Sequence, residues 1–169
     1  MIAECIEYLT QKLRFAMGAS TRVCTTLKEL KNNAESHVAA VLIESDSFTR
    51  NGSKINIMTK AGGSKAVKLF DRQVKFVVIL GEYKLATLEP LFEVFISSID
   101  KGLTLPDGYY ITIEPGEAEW VDKDDSILKA EIAVQLQITF YGGVYRVKDF
   151  AKLTEINTTI EEDNQNGSQ

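Results

Sequence analysis

The chain of 169 residues is long enough for one domain that buries a real hydrophobic core. Hydrophobic residues make up 44% of it and charged residues 25%, which is ordinary for a globular protein. The formal net charge of −5 argues against a protein that coats DNA, because that task requires an excess of Lys and Arg.

The N-terminal segment and the two cysteines indicate in which cellular compartment the protein is expected. Glu4, Glu7 and the lack of a long apolar run argue against a signal peptide, and no stretch approaches the ~18 apolar residues of a membrane span. Cys5 falls on an apolar stripe, which predicts a buried thiol. No CxxC occurs, so metal-ligand spacing is lacking. We expect a cytoplasmic protein with reduced thiols.

The first half of the chain predicts one long helix and one buried strand. Steps of three and four predict a helix over residues 2–17, with an apolar face of Ile2, Cys5, Ile6, Leu9, Leu13 and Met17. Residues 25–36 are polar and ambiguous, and a short helix around Leu27 and Leu30 is one possibility. The apolar run Val38–Ile43 is rich in β-branched residues and favours a buried strand.

Residues 48–68 form the most unusual segment, because they carry basic but no acidic side chains: Arg50, Lys54, Lys60, Lys65 and Lys68. Asn51-Gly52 and Gly62-Gly63 are strong turn signals. We therefore predict a mobile, basic β-hairpin or long loop. These five residues are the candidate binding residues, since a flexible cationic loop can reach phosphates or an acidic partner. A merely solvated hairpin is the alternative.

The middle of the chain predicts a strand and a second helix. Residues 70–80 are polar on one side at the start and apolar on both sides at the end, which indicates a central strand. A helical face follows, made of Leu88, Leu91, Phe92, Phe95, Ile96 and Ile99. Thr87 is the predicted N-cap, Pro90 is expected in the first turn, and Gly102 is the predicted stop.

The C-terminal part predicts a turn at residues 105–108, a strand over 109–114 broken by Pro115-Gly116, and a short continuation over 118–121. Alternation then predicts the longest strand, Leu128–Tyr141, with one buried and one polar face. Gly142-Gly143 is expected to end it. Residues 149–169 are polar and acidic, which favours a frayed tail after a single domain of residues 1–148.

These elements predict an α+β fold, with a mostly antiparallel sheet, two amphipathic helices packed on one face, and a protruding basic hairpin or loop. The opposite side of the sheet is expected to stay free for other copies of the chain.

No residue is predicted to be catalytic, and no metal or cofactor is expected. Residues 61–65 lack the pattern of a phosphate loop, and the acidic residues 122–125 lack the Gly and Glu of an EF-hand. His37, the only histidine, is interpreted as structural. Trp120, Tyr109 and Tyr110 could stack on bases, but aromatic packing in the sheet or at an interface is favoured.

Two segments resemble a known family. Phe70–Tyr83 (FDRQVKFVVILGEY) followed by a helix is similar to tail terminator and tail-completion proteins of bacteriophages. Trp120–Asp122 followed by Leu128–Tyr145 (LKAEIAVQLQITFYGGVY) resembles the amphipathic strand of that family, which ends in an aromatic residue, glycines and Tyr. The resemblance covers residues 1–148 and includes relatives in contractile bacteriocin-like particles.

The resemblance implies a structural protein of the virion tail, assembled in the host bacterial cytoplasm. Such proteins form a ring, commonly a hexamer, that caps the tail tube, ends its polymerisation and presents the head–tail joining surface. The implied partners are copies of the chain, the tail tube protein, head–tail connector proteins and DNA passing through the lumen, with no membrane. A nucleic-acid-binding or regulatory module that uses the basic segment is the alternative, and a small-molecule enzyme is the third.

Overall fold

A computed structural model describes residues 1–59, 62–122 and 130–148. Within the strands, the side chains at residues 54–59, 62–66, 122, 147 and 148 are not described. The predicted tail (149–169) and the start of the strand predicted at Leu128 lie outside the described residues, as does Lys60.

The described residues form three helices, α1 (Ile2–Met17), α2 (Leu27–Asn32) and α3 (Leu85–Ser97). They also form seven strands, β1 (Val23–Cys24), β2 (Val38–Arg50), β3 (Lys54–Thr59), β4 (Gly62–Glu82), β5 (Gly102–Thr104), β6 (Tyr110–Asp122) and β7 (Ile132–Lys148). The fold is therefore α+β, as predicted.

The strands form one sheet in the order β1-β2-β4-β7-β6-β5, and β3 pairs with the beginning of β4. The pairing is antiparallel throughout the described residues except between β1 and β2. The pair of β4 and β7 is the longest, from Glu82 opposite Ile132 to Lys65 opposite Lys148. The predicted antiparallel sheet is thus observed, whereas mobility of the β3–β4 segment stays a prediction.

One face of the sheet packs against α1 and α3. Cys5, Leu9 and Leu13 of α1 and Leu88 and Phe95 of α3 are fully buried there. Their partners on the sheet are alternate residues of two central strands: Val74, Phe76, Val78 and Leu80 of β4, and Val134, Leu136, Ile138 and Phe140 of β7. Alternation places these eight on one side of the sheet, so the side chains between them point to the other side.

A second, smaller cluster occupies one end of the opposite face: Cys24, Leu30, Val38, Ala40, Ile79, Ala130 and Ala133. Leu30 of α2 is 2% exposed, so this short helix covers that end of the sheet. The expectation of a wholly free opposite side is therefore wrong at this end. Ala130 also belongs here, and not with Val134 and Leu136 as the alternation predicted.

Helix α3 begins earlier and ends earlier than predicted. Its N-cap is Lys84, without a side-chain hydrogen bond, because Thr87 N–H already donates to Lys84 O at 3.1 Å and so lies inside the first turn. Pro90 therefore sits inside the helix beyond its first turn. The helix stops at Ser97, and Gly102 opens β5 instead of ending the helix.

Strand β7 begins at Ile132 and runs through Gly142-Gly143 to Lys148, and β4, with 21 residues, is the longest strand described. A Cβ on Gly142 would lie 2.8 Å from Ile111 Cγ2, and one on Gly143 would collide with Lys68 and Tyr145. These glycines admit close neighbours and do not end the strand. The prediction that Gly142-Gly143 ends this strand was wrong, and so was the prediction that it is the longest strand.

The Pro115-Gly116 break is accommodated inside β6. The register between β6 and β7 shifts between Pro115 and Ala118, which is a β-bulge, so the strand continues on the far side. The predicted turn at 105–108 is confirmed: Gly108 N–H donates to Leu105 O at 2.9 Å, and Gly108 has a φ of 86°. Strands β5 and β6 thus form a hairpin.

Candidate assembly surface

Most of the sheet face opposite α1 and α3 is polar, and we call this surface the open face. It comprises Ser45, Ser47 and Thr49 of β2, Gln73 and Lys75 of β4, Gln135, Gln137 and Tyr141 of β7, and Thr112, Glu114 and Glu119 of β6. The strand register places Ser45, Lys75 and Glu114 in one row, with Thr139 between the last two. The predicted polar face of the C-terminal strand therefore belongs to a surface four strands wide.

One half of the open face is acidic and rich in amides. A concave region of about 570 Å³ is lined by Glu44, Val77, Glu117, Ala118, Glu119, Gln135 and Gln137. Gln137 Nε2 donates to Glu44 Oε2 at 2.7 Å. Glu44 lies where the register between β2 and β4 shifts, between Ile43 and Ser45. These groups offer many hydrogen bonds but little apolar area, which suits contact with another polar protein surface.

The other half carries hydroxyls and tyrosines. A region of about 480 Å³ is lined by Ser47, Thr49, Lys68, Asp71, Arg72, Gln73, Tyr110, Thr112, Tyr141, Gly142 and Tyr145. Tyr110 is 57% exposed and Tyr141 39% exposed. Desolvation, followed by the charge of Glu114, raises the pKa of Tyr141. Tyrosines with exposed rings and neutral hydroxyls are typical of protein interfaces.

Four of the five predicted basic residues lie in strands near this half, and the fifth, Lys60, is outside the described residues. Arg50 is exposed at the end of β2, and Lys54 and Lys65 lie in β3 and β4, opposite Val67 and Asn56. Lys68 Nζ forms an ion pair with Asp71 and lies 5.9 Å from the centre of the Tyr145 ring. Its charge is therefore balanced locally.

Arg50, a predicted binding residue, belongs to a group of aromatic and charged residues on the other face whose remaining members the sequence analysis did not single out: Phe48, Phe70, Arg72 and Asp46. The Phe48 and Phe70 rings meet edge to face at 6.4 Å, and the Arg72 guanidinium lies 5.1 Å from the centre of the Phe48 ring. Arg72 donates to both Asp46 oxygens, at 3.0 and 2.6 Å, and Asp46 raises the pKa of Arg72. The period-two spacing of Phe48 with Arg50, and of Phe70 with Arg72, was the available signal.

His37 has the structural surroundings that were predicted. Its Nε2 lies 2.9 Å from Thr21 Oγ1, and its Nδ1 forms an ion pair with the buried Glu82. The Thr21 hydroxyl donates to Met17 O at 3.0 Å. The three side chains join the end of α1 to the beginning of β2 and the end of β4. Because Thr21 is only 4% exposed and its hydroxyl donates to the main chain, that hydroxyl is not presented as a nucleophile.

The thiols and carboxylates form no further site in the part of the chain that the structure describes. Cys5 and Cys24 are buried and unpaired, and burial raises the pKa of Cys5 to about 12. Within residues 1–59, 62–122 and 130–148, no group of three or more His, Cys, Asp or Glu side chains could hold a metal ion. No helix in these ranges is long and apolar enough to cross a bilayer.

This geometry defines an α+β protein with one helix-covered sheet face and one broad polar face. No family model and no curated protein matches the chain. Among solved structures, it is similar to the sheath/tube terminator, in the extended state, of an extracellular contractile injection system (PVC). The TM-score is 0.54 at 12% identity, over 98% of this chain and 65% of that chain.

That similarity shows a shared fold, and this chain spans less than two thirds of the terminator chain. A second solved structure, from the virion of a native gene transfer agent particle, aligns at 11% identity with a TM-score of 0.35. The alignment covers 82% of this chain and 92% of that one. The score is too low to support an argument.

Proposed function

We propose that the protein is a structural component of a phage or phage-like tail, and that it caps the tail tube as a ring. The ring ends tube polymerisation and forms the surface on which the head–tail connector docks. The observation that carries the proposal is the fold shared with a sheath/tube terminator over 98% of this chain. The resemblance of residues 70–83 and 120–145 to tail terminator proteins points the same way.

The arrangement of the sheet supports this function physically. α1 and α3 bury one face in the core of the subunit, while the open face remains accessible over four strands. Its carboxylates, amides and tyrosines suit contact with other tail proteins or with a water-filled lumen through which DNA passes. Identical subunits that meet through two different surfaces generate a closed ring when the rotation between them closes.

The test is to add the purified protein to the tail tube protein of the same particle during tube polymerisation. We expect rings at tube ends by negative-stain microscopy and shorter tubes as the ratio of this protein to tube protein increases. Light scattering after size exclusion measures the ring mass, and tube protein alone is the control for length. A chain that stays monomeric and leaves both tube ends and tube length unchanged contradicts the proposal.

A further inference from the structure

At each edge of the sheet the outermost strand, β1 or β5, is short. Most of the neighbouring strand, β2 or β6, therefore has no partner on its outer edge among the described residues. β1 pairs with β2 only at Ala39 and Ala40, so the rest of β2, through Arg50, is paired only with β4. β5 pairs with β6 only as far as Thr112, and Ile113 N–H donates to Lys101 O at 3.0 Å. From Glu114 onward, β6 is paired only with β7.

We propose that copies of this chain join head to tail by pairing the free edge of β2 in one copy with the free edge of β6 in the next. The inference rests on the self-assembly proposed above and specifies the surface that produces it. The partner is a second copy of this chain, and the contact is an antiparallel continuation of the sheet.

Strand direction makes this pairing regular. β2, β4, β7 and β6 alternate in direction, since each neighbouring pair is antiparallel. A neighbouring β2 placed beside β6 therefore runs antiparallel to it, and the alternation continues without interruption from copy to copy. An edge presents a row of free N–H and C=O groups that form the same ladder as inside the sheet.

The edge of β2 is interrupted by a bulge at Glu44, which leaves Ser45–Arg50 as the regular stretch available for pairing. Native edges are commonly blocked by Pro or Lys, and residues 41–50 contain neither. Its exposed side chains also favour burial, because Ile43 is 49% exposed and Phe48 is 52% exposed. Both lie on the helix-covered side of the sheet, since they are opposite Phe76 and Arg72.

The edge of β6 is interrupted by Pro115 and the bulge after it, and beyond them Ala118–Asp122 is a regular stretch with side chains on each side. Trp120 is opposite Val134 on the helix-covered side, packs edge to face on Phe92 at 5.6 Å, and remains 42% exposed. On the open face, β6 presents carboxylates and β2 presents the hydroxyls of Ser45, Ser47 and Thr49. The pairing thus joins apolar to apolar side chains and hydroxyl donors to acceptors.

The acidic side chains also disfavour the symmetric alternative at this edge. Pairing β6 with another β6 would bring Glu114, Glu117 and Glu119 of two copies together, and like charges on paired strands are destabilising. Pairing β2 with another β2 would close a two-fold dimer and not a ring. The head-to-tail pairing satisfies both edges at once.

Site-directed cross-linking tests the pairing. Ser45→Cys, Ser47→Cys and Thr49→Cys are each combined with Glu119→Cys in one chain, assembled with tube protein, and treated with a short bismaleimide. Since Cys5 and Cys24 are buried, the new thiols are the reactive ones. We expect a ladder of covalent multimers from at least one double variant, and only dimers from a mixture of the matching single variants.

The matched control is Glu7→Cys with Glu119→Cys, because Glu7 is exposed and belongs to α1 and not to either edge strand. It should give no ladder. Rings that form without cross-links in any double variant would overturn the edge pairing and leave the capping function standing. Dimers from a β2 single variant alone would overturn it in favour of a two-fold contact. Absence of rings, of cross-links and of tube binding would remove both proposals.

Discussion

A single residue, His37, joins three elements. It directly precedes β2, and its side chain contacts Thr21 after α1 and Glu82 at the end of β4. Glu82 is 5% exposed, so its carboxylate depends on this partner and on Tyr83 N–H at 3.3 Å. A buried carboxyl group that loses its hydrogen-bond partner is destabilising. The histidine thus stabilises the junction at which the sheet meets α1.

We predict that His37→Ala lowers the free energy of unfolding by about 2 kcal/mol, the size of a buried polar group left unsatisfied. Urea denaturation measures the change. The control is the same substitution in a Glu82→Gln background, where the carboxyl group is absent and the loss should be clearly smaller. Equal losses in both backgrounds would show that the histidine does not act through Glu82.

Cys5 predicts a dependence of stability on alkaline pH. Burial raises its pKa from the ordinary value of 9.0 to about 12, so the thiol stays neutral in the folded protein while the unfolded chain ionises. The stabilisation is therefore complete below pH 9 and is lost as the pH rises toward 12. Burial similarly raises the pKa of Tyr8 from 10.0 to about 12, in the same direction.

We expect the unfolding free energy to fall with increasing pH in this range, and Cys5→Ala to make the decline shallower. Denaturant melts at several pH values, with the variant beside the native chain, measure both slopes. The slope that remains is due to Tyr8 and other groups. An unchanged slope in Cys5→Ala would mean that the thiol titrates alike in the folded and unfolded states.

Strand β7 requires glycine at residues 142 and 143, because side chains from other elements lie too close to leave room for a Cβ atom. Gly142→Ala should cost about 1–3 kcal/mol, the usual price of overpacking, since the new methyl would meet Ile111 and Met1. Thermal denaturation measures the change. Gly52→Ala is the matched control, because nothing lies within 4 Å of its Cβ position. Equal effects of the two would contradict a role in close packing.

The elements that the sequence predicted well are those whose pattern arises from their own burial. α1 repeats apolar residues toward the core, and its predicted range, 2–17, matches the observed helix. The alternation of Val134, Leu136 and Ile138 with Gln135 and Gln137 correctly gave one buried and one polar side of β7. In these cases, local spacing and tertiary packing carry the same information.

Strand β2 shows why the rest could not be predicted. Its residues from Glu44 to Arg50 are exposed on both faces, so no periodic pattern of apolar residues marks them. They are extended because they pair with β4, from Ser45 opposite Lys75 to Arg50 opposite Phe70. The cover that α2 provides over Ile79 and Ala133 is equally non-local. Contacts distant in sequence, and not propensity, determine these features.

At the scale of the whole molecule, two exposed aromatic residues distinguish assembly through the edge of β2 from assembly through the helical side. Phe48 lies at the free edge of β2, whereas Phe15, 72% exposed, lies on α1. We predict that Phe48→Ala raises the concentration needed for ring assembly about ten-fold, which corresponds to ~1.4 kcal/mol. Phe15→Ala should leave it unchanged.

Light scattering over a dilution series measures the assembly midpoint of each variant, and circular dichroism checks that both still fold. Truncation of an interface aromatic commonly costs more than 1 kcal/mol when it is buried on association. A larger effect of Phe15→Ala than of Phe48→Ala would transfer the contact between subunits to the helical side.

The 21 residues of β4 give a strand about 70 Å long at the usual rise per residue. A compact body of ~150 residues is roughly 40 Å across, so this strand is longer than the domain that anchors it. Its residues in the main core begin only at Val74, and the preceding half pairs with β3, the end of β2 and the end of β7. In the ring proposed above, this strand would give each subunit an arm with its own backbone hydrogen bonds, long enough to reach the subunit or the layer beyond its immediate neighbour.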